Sequence, residues 1–301
     1  MEKYQQYLHT FMEEFDFPQE AKTELNEVYG RVFSDTAALQ GLGEALALYK
    51  EQTREGCVAM VAFCKALAEK TGEWGYSLYM IALILLTEVA KEHYQKAGIP
   101  LAIWKENFVD LKYKLIECKL VKGVWGTFVP DWYFGFFDAT RFAFGKLQFE
   151  LVDFGRSYSD DEVTLTEKNP AINVHIPRTG TRLTPKDVEE ALEMAAEFFK
   201  KKYDLDEVVF VCHSWLLYPV NKEMLSPSSN LYSFINRFHI IEVEEYPNYK
   251  EVWRLFDCEY DGDASKLPAD TSFRRAYVDR IRRGEKTGCG YGFFIYKPCK
   301  K

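Results

Sequence analysis

Residues 171–217 constrain the fold of this 301-residue chain more than any other segment does. They have the pattern of a strand, a short loop, a long amphipathic helix and a second strand. Two strands joined through a helix lie parallel, with a right-handed crossover. His175 and His213 stand near the downstream ends of the two strands. Ligands of such units bind beyond the carboxyl ends of the strands, so we expect both imidazoles to lie near a binding site.

The helix of this unit has clear start signals. Thr184 supplies a hydroxyl for the N-cap, Pro185 occupies the first helical position, and Asp187 can complete a capping box. Apolar residues then recur at helical spacing and predict one buried face: Val188, Ala191, Leu192, Ala195, Phe198 and Phe199. The strand at 208–212 is continuously apolar, as expected for a strand that is covered on both faces.

The two halves of the chain have different patterns. Residues 1–125 predict only helices, with glycine or proline at most of the joins; the predicted segments are 4–15, 18–33, 36–52, 57–69, 76–96 and 100–120. After residue 125, strands and helices mix. Strands are predicted at 145–152, on both sides of Pro247 within 237–256, and at 290–296, with a helix from Ser272 to Gly284. The sequence therefore predicts an α+β fold, with a helical domain over 1–125 and a mixed-sheet α/β domain over 126–301.

Composition excludes several classes of protein. The formal net charge of −8 argues against a nucleic-acid-binding surface. The N-terminal segment has no signal-peptide pattern, and the longest apolar run, 78–86, is too short to span a membrane. Seven cysteines without C-x-x-C spacing favour reduced thiols and a cytoplasmic location, and no metal site is predicted. Whether the chain binds a protein partner or forms an oligomer is left open.

The loop between the first strand and the helix is a candidate anion site. It contains Arg178, Thr179, Gly180, Thr181 and Arg182. A glycine allows close approach of backbone, a following helix favours negative charge at its N-terminus, and arginines add positive charge. The segment is interpreted either as a pyrophosphate-binding loop or as a surface turn with solvated arginines.

Three further side chains could donate or accept a proton in a reaction: His213, Glu150 and Tyr232. His213 is a candidate general base or a structural histidine, and its neighbour Cys212 must point to the opposite face of the strand. Glu150 ends an apolar strand, so it is expected either to pair with Arg141 or Arg237 or to act as a general base.

Tyr232 follows a serine-rich helix start. It is a candidate proton donor to a leaving thiolate or, alternatively, a packed residue. The sequence contains no G-x-S-x-G, Walker, HExxH or Rossmann glycine motif.

The chain resembles a bacterial family of two-domain acyltransferase domain-containing proteins, which join a helical N-terminal domain to a GNAT-like domain. The matching segments are GKLQFE (145–150), NVHIP (173–177), LTP (183–185), VCHSWLL (211–217), SSNLYSFINRF (228–238) and residues 267–284. The resemblance implies that the two strands of the βαβ unit splay apart to admit the pantetheine arm of an acyl-CoA. The loop 178–183 would then face the pyrophosphate. GNAT enzymes carry R/Q-x-x-G-x-G/A at this loop, whereas this chain has one glycine there.

The resemblance implies an enzyme that transfers an acyl group from acyl-CoA or acetyl-CoA to an amine or hydroxyl of a small acceptor. His213 or Glu150 is expected to act as the base, His175 to line the cleft, and Tyr232 to protonate the thiolate. The incomplete glycine pattern leaves a second interpretation open, a non-catalytic ligand-binding or regulatory module. A third is a hydrolase that uses Cys212 or Ser214 with a histidine.

Overall fold

A computed structural model describes residues 1–249 and 251–297, which form two compact units. The first unit comprises Met1–Phe142 together with Arg178–Gly180. The second comprises Ala143–Pro177 and the residues from Thr181 onward. None of the helices in the described parts of the chain is long and apolar enough to cross a membrane.

The first unit is helical, as predicted. Its helices are α1 (Glu2–Glu14), α2 (Gln19–Phe33), α3 (Thr36–Glu51), α4 (Thr53–Thr71), α5 (Gly75–Lys96), α6 (Leu101–Phe108), α7 (Asp110–Lys122) and α8 (Phe134–Phe137), with a 3-10 turn at Pro130–Tyr133. The apolar segment 78–86 lies within α5 and is almost entirely buried, which makes α5 the central helix of this unit. The single helix predicted over 100–120 is in fact two helices, separated at Val109.

This unit extends to Phe142, whereas the sequence analysis placed the division at residue 125. The unit extends further because the aromatic segment that contains α8 packs with the helices. Backbone carbonyls of this segment accept hydrogen bonds from tyrosines of α3 and α5. Tyr49 donates to the Phe137 carbonyl at 2.9 Å and Tyr94 to the Phe136 carbonyl at 2.7 Å, both in buried surroundings. Burying these carbonyls requires such partners, so the segment folds with the helices.

The second unit is built on a mixed sheet, as predicted. The strands of this sheet are β1 (Arg141–Phe144, which begins two residues before the boundary at Ala143), β2 (Leu147–Asp153), β5 (Pro170–His175), β6 (Val209–Ser214), β7 (His239–Tyr246) and β8 (Thr287–Ile295), and they follow the order β1-β2-β5-β6-β8-β7. Two short strands, β3 (Tyr158–Ser159) and β4 (Thr164–Leu165), form a separate hairpin. The helices are α9 (Pro185–Tyr203), α10 (Pro219–Glu223), α11 (Asn230–Ile235), α12 (Trp253–Phe256) and α13 (Ser272–Arg282).

The predicted βαβ unit is confirmed. β5 and β6 pair in parallel, and α9 connects them. Thr184 caps α9 in a reciprocal capping box with Asp187, as the sequence indicated. Five of the six predicted apolar positions of α9 are buried, and Phe198 is half-buried.

One predicted strand is absent. The chain was expected to resume a strand after Pro247, but the described residues there form a turn and then the short helix α12. Val252 and Phe256 lie one helical turn apart and are both buried, in a small apolar cluster that also contains residues of α13. Helical spacing of the two apolar side chains therefore decided the local structure.

Glycines shape strand β8. Gly288, Gly290 and Gly292 alternate along it and so share one face of the sheet. A Cβ atom on Gly290 would lie 2.4 Å from the Leu217 carbonyl oxygen, and one on Gly288 would lie 2.9 Å from the Tyr218 ring. The missing side chains let the segment after β6, a 3-10 turn at Trp215–Leu217, cross directly over the sheet.

Candidate active site

The site begins where the two parallel strands part. Their register pairs Ile172 with Phe210 and Asn173 with Val211. Both strands then continue, β5 to His175 and β6 to Ser214, but within the described chain their pairing stops at Asn173. Parallel sheets bind ligands at the carboxyl ends of their strands, and the β5–β6 register ends on that side.

A carboxylate and an imidazole meet beside this opening. Oε1 of Glu150, on β2, lies 2.7 Å from Nε2 of His175, on β5. The two side chains are 19% and 21% exposed, so the pair is largely buried but can still be reached from solvent. Asn173 donates from Nδ2 to the same carboxylate oxygen at 3.3 Å.

An ionised carboxylate can only accept hydrogen bonds, so Nε2 of His175 carries the hydrogen in this pair. The carboxylate fixes the orientation of the imidazole ring. His175 and Glu150 therefore form a hydrogen-bonded pair. Arg237, one of the two arginines expected as partners of Glu150, donates to Glu189 of α9 at 2.7 Å.

His213 belongs to a different cluster on the same sheet face. Its Nε2 atom lies 3.0 Å from Sγ of Cys289, on β8. Cys289 in turn donates from Sγ to a carboxylate oxygen of Glu244, on β7, over 3.8 Å. Burial raises the pKa of the Cys289 thiol, while a hydrogen bond with Tyr246 lowers it. The sequence analysis identified His213 but neither Cys289 nor Glu244.

The hydrolase interpretation lacks its nucleophile. Cys212 is 1% exposed, and burial raises its thiol pKa to about 12. It points to the face opposite His213, as predicted. The Ser214 hydroxyl accepts a hydrogen bond from the Leu216 amide at 3.2 Å and caps the following turn. Neither side chain is arranged as an activated nucleophile.

The predicted anion loop lies between β5 and α9. Arg178, Thr179 and Gly180 belong to the first compact unit, and Thr181 and Arg182 to the second. Gly180 has a φ of 76°, a left-handed conformation that glycine adopts without strain. No atom outside its chain neighbours lies within 4 Å of the position of a Cβ atom, so backbone conformation rather than crowding accounts for this glycine.

The start of α9 already has internal partners. The Thr184 amide donates to Asp187 at 2.8 Å, the Asp187 amide donates to the Thr184 hydroxyl at 3.2 Å, and Pro185 has no amide hydrogen. Lys146 donates both to the Arg182 carbonyl, at 2.8 Å, and to Asp187, at 2.9 Å. Positive charge for an anion must therefore come mainly from side chains such as Arg182, which is exposed.

Tyr232 lies on α11, one turn after its N-cap Ser229, which accepts from the Tyr232 amide at 3.1 Å. The Tyr232 ring is half-buried, and the ammonium nitrogen of Lys222 lies 5.1 Å from the centre of that ring. The role of Tyr232 as a proton donor stays a prediction.

Comparison with known structures finds the same fold in acyltransferases. An acyltransferase in complex with decanoyl-CoA and teicoplanin shares 17% sequence identity, over 95% of this chain and 86% of that chain, with a TM-score of 0.71. A mutant acyltransferase in complex with octanoyl-CoA shares 18% identity over 95% and 86% of the two chains, with a TM-score of 0.72. A complex with decanoyl-CoA alone matches 73% of this chain and 66% of that chain, at 18% identity and a TM-score of 0.63.

Family profiles cover nearly the whole chain. The profile described as N-acyltransferase N-terminal domain matches residues 6–139, and the profile described as GNAT-like C-terminal domain matches residues 142–294. No curated protein matches the sequence. The two profiles meet where the two compact units divide. The chain belongs to the two-domain acyltransferase family in which an N-acyltransferase N-terminal domain precedes a GNAT-like C-terminal domain.

Proposed function

We propose that this protein is an acyl-CoA-dependent acyltransferase, which transfers the acyl group directly to an amine or hydroxyl of a small acceptor. The observation that carries the proposal is the parting of β5 and β6 after Asn173, with the Glu150–His175 pair beside the opening. The carboxyl ends of two diverging parallel strands form an opening that can admit an extended, amide-containing chain such as pantetheine. Family membership and the acyl-CoA complexes of structurally similar acyltransferases support the same reading.

His175 acts as the general base in this proposal, held in position by Glu150. His175 takes the proton from the acceptor nitrogen or oxygen as that atom bonds to the thioester carbonyl carbon. The carbon–sulfur bond breaks, and Tyr232 is proposed to return a proton to the departing thiolate. The reaction needs proximity and a tuned base, not a covalent nucleophile on the protein. His213 is the second candidate for the base.

The diphosphate end of the co-substrate is assigned to the loop after β5. Arg178, Thr179, Gly180, Thr181 and Arg182 are the proposed binding residues. The capping box of α9 uses helix amides that would otherwise face an anion, so we assign most of the binding energy to the arginines. Arginine binds phosphate oxygens through paired N–H groups, which compensates for the missing second glycine of the GNAT pattern.

Structurally similar acyltransferases have been solved with octanoyl-CoA, with decanoyl-CoA, and with the glycopeptide teicoplanin. We therefore propose medium-length acyl chains and an amine-bearing small molecule as the first compounds to examine. A cytoplasmic location, where CoA thioesters are abundant, is part of the same proposal.

The decisive experiment combines binding and turnover on the purified full-length protein. Calorimetric titration with CoA, acetyl-CoA, octanoyl-CoA and decanoyl-CoA measures affinity, and thiol release in the presence of an amine panel measures transfer. We expect micromolar binding and acceptor-dependent thiol release that His175→Ala slows at least about 100-fold, while His9→Ala, at an exposed position on α1, leaves it unchanged. Binding without thiol release for any acceptor would favour the ligand-binding module. Absence of binding would contradict both.

A further inference from the structure

Three side chains with metal-binding atoms converge on one face of the sheet. Nε2 of His213, a carboxylate oxygen of Glu244 and Sγ of Cys289 all lie within 4.8 Å of one another. They come from three adjacent strands, β6, β8 and β7. The register pairs Glu244 with Cys289 and pairs His213 with Tyr291, which lies two residues beyond Cys289, so the alternation of side chains places all three on the same face.

The three atoms suit one type of ion. Nitrogen of histidine, sulfur of cysteine and oxygen of a carboxylate are the ligands that zinc takes in proteins. Tetrahedral zinc with ordinary bond lengths separates its ligand atoms by about 3.3–3.6 Å. The Cys289 sulfur lies 3.0 Å from the His213 nitrogen, which is shorter than that range. It lies 3.8 Å from the Glu244 oxygen, which is slightly longer. The His213 nitrogen and the Glu244 oxygen lie within 4.8 Å of each other, so rotation of these two exposed side chains has to bring the ligand atoms to bonding distance of one ion.

The local charge also favours a cation. The neighbouring carboxylates of β7 have basic partners, since Glu242 pairs with Arg156 and Glu245 with Lys286. Within the described chain, Glu244 has no lysine or arginine within ion-pair distance, and it contacts the thiol instead. A buried cysteine beside an uncompensated carboxylate is costly as a thiolate unless a cation accompanies it.

The exposure of His213 and Glu244 would let an ion reach the three residues from solvent. His213 and Glu244 are exposed, whereas Cys289 is 3% exposed and lies beneath them. An ion can thus enter from solvent between the imidazole and the carboxylate and reach the sulfur below. Tyr246 forms a hydrogen bond with Cys289 and can support the thiolate, as outer partners of metal ligands commonly do.

We infer that His213, Glu244 and Cys289 form a binding site for a zinc-class divalent cation. The thiol proton leaves to solvent when the ion binds, and three protein ligands leave a fourth position for water or a donor atom of a small molecule. With its Nε2 atom on the ion, His213 cannot accept a proton from the acyl acceptor, which leaves that role to His175. The inference goes beyond the proposed acyl transfer and does not depend on it.

The test uses full-length protein stripped of metal with a chelator and then titrated with Co²⁺, followed by competition with Zn²⁺. We expect one Co²⁺ per chain, a thiolate-to-cobalt charge-transfer absorption, the visible bands of tetrahedral cobalt, and loss of both signals on addition of Zn²⁺. Cobalt spectra that lack the charge-transfer absorption, or binding with no saturable stoichiometry, would overturn the inference.

Substitution of each proposed ligand tests whether the ion binds at this site. Cys289→Ser should remove the charge-transfer absorption, and His213→Ala and Glu244→Gln should each weaken binding by at least about tenfold. The latter two positions are exposed, so their variants should fold normally, which circular dichroism can check. Cys258→Ser, at a half-buried cysteine in another part of the unit, is the matched control and should leave the titration unchanged. An unaltered affinity in His213→Ala and Glu244→Gln would contradict the site. Acyl-CoA binding is measured separately, so failure here does not affect the proposed function.

Discussion

Nε2 of His175 lies 2.7 Å from Oε1 of Glu150, across the antiparallel ladder of β5 and β2. The two residues are diagonal neighbours in that ladder, because Glu150 pairs with Asn173 and His175 pairs with Gln148. Diagonal neighbours on one face are within reach of long side chains. The sheet therefore builds an oriented imidazole at the point where β5 leaves β6.

Loss of the base should slow transfer without weakening co-substrate binding. We expect His175→Ala to lower kcat by about 10²- to 10⁴-fold, the usual contribution of a positioned base, with little change in the Kd for acyl-CoA. Glu150→Gln keeps the shape of the side chain but removes the charge that stabilises the imidazolium, so it should lower kcat by a smaller factor. Steady-state thiol release and calorimetry measure the two quantities. A weaker Kd with unchanged kcat would show that the pair binds the co-substrate instead of acting as the base.

Removing a loop arginine should weaken the binding of CoA in a salt-dependent way. Arg182→Ala is expected to raise the Kd for acyl-CoA about tenfold at low ionic strength, the loss typical of a charged hydrogen bond, and less at high salt. Arg282→Ala removes an exposed arginine from α13 and serves as the matched control. Equal effects of the two substitutions would indicate a general charge effect and would contradict a specific site at the loop.

The capping box of α9 predicts an acid-sensitive contribution to stability. Hydrogen bonds from Thr184, aided by Lys146, lower the pKa of Asp187 from 3.8 to about 2. Because the folded-state pKa lies below the unfolded-state value, this stabilisation is fully present above about pH 5 and is lost as the pH falls toward about 2. The difference in unfolding midpoint between the protein and Asp187→Asn should be constant near neutral pH and should shrink below about pH 4. Urea unfolding between about pH 3 and pH 7 measures it. A difference that grows on acidification would contradict the direction of the shift.

Removing the N-cap hydroxyl should destabilise the second unit directly. Thr184→Ala removes the acceptor for the Asp187 amide, which typically costs about 1 kcal/mol in the free energy of unfolding. Thr184→Ser keeps the hydroxyl and is the matched control, with an expected change near zero. Urea unfolding at neutral pH measures both variants, and equal stability of the two would argue against the cap.

A glycine of β8 should resist substitution because of close packing. The added methyl group of Gly290→Ala would lie 2.4 Å from the Leu217 carbonyl oxygen, so we expect a loss of about 1–3 kcal/mol in the free energy of unfolding. Gly30, inside α2, has open space at the same position, and Gly30→Ala should raise stability by about 0.5–1 kcal/mol. Chemical unfolding of both variants checks the contrast. A neutral Gly290→Ala would mean that the crossing segment moves freely.

The sequence by itself determined the parts of this protein that depend on short-range patterns. The helix α9 follows from a capping signal and an apolar spacing within 19 residues, and the strand after it follows from a continuous apolar run. The parallel pairing of β5 and β6 follows from the length of that connection. These features require only the local preferences of the backbone and the handedness of a crossover, so they could be read before any contact was known.

Only the tertiary structure decided which side chains meet. The sequence singled out Glu150, His175 and His213, but the β2–β5 register paired the first two with each other, and the arrangement of β6, β8 and β7 brought Cys289 and Glu244 to the third. Cys289 stands 76 residues from His213 along the chain, and no local pattern connects them. Strand order and register result from the burial of whole faces of the sheet, a property of the assembled fold that no short segment contains.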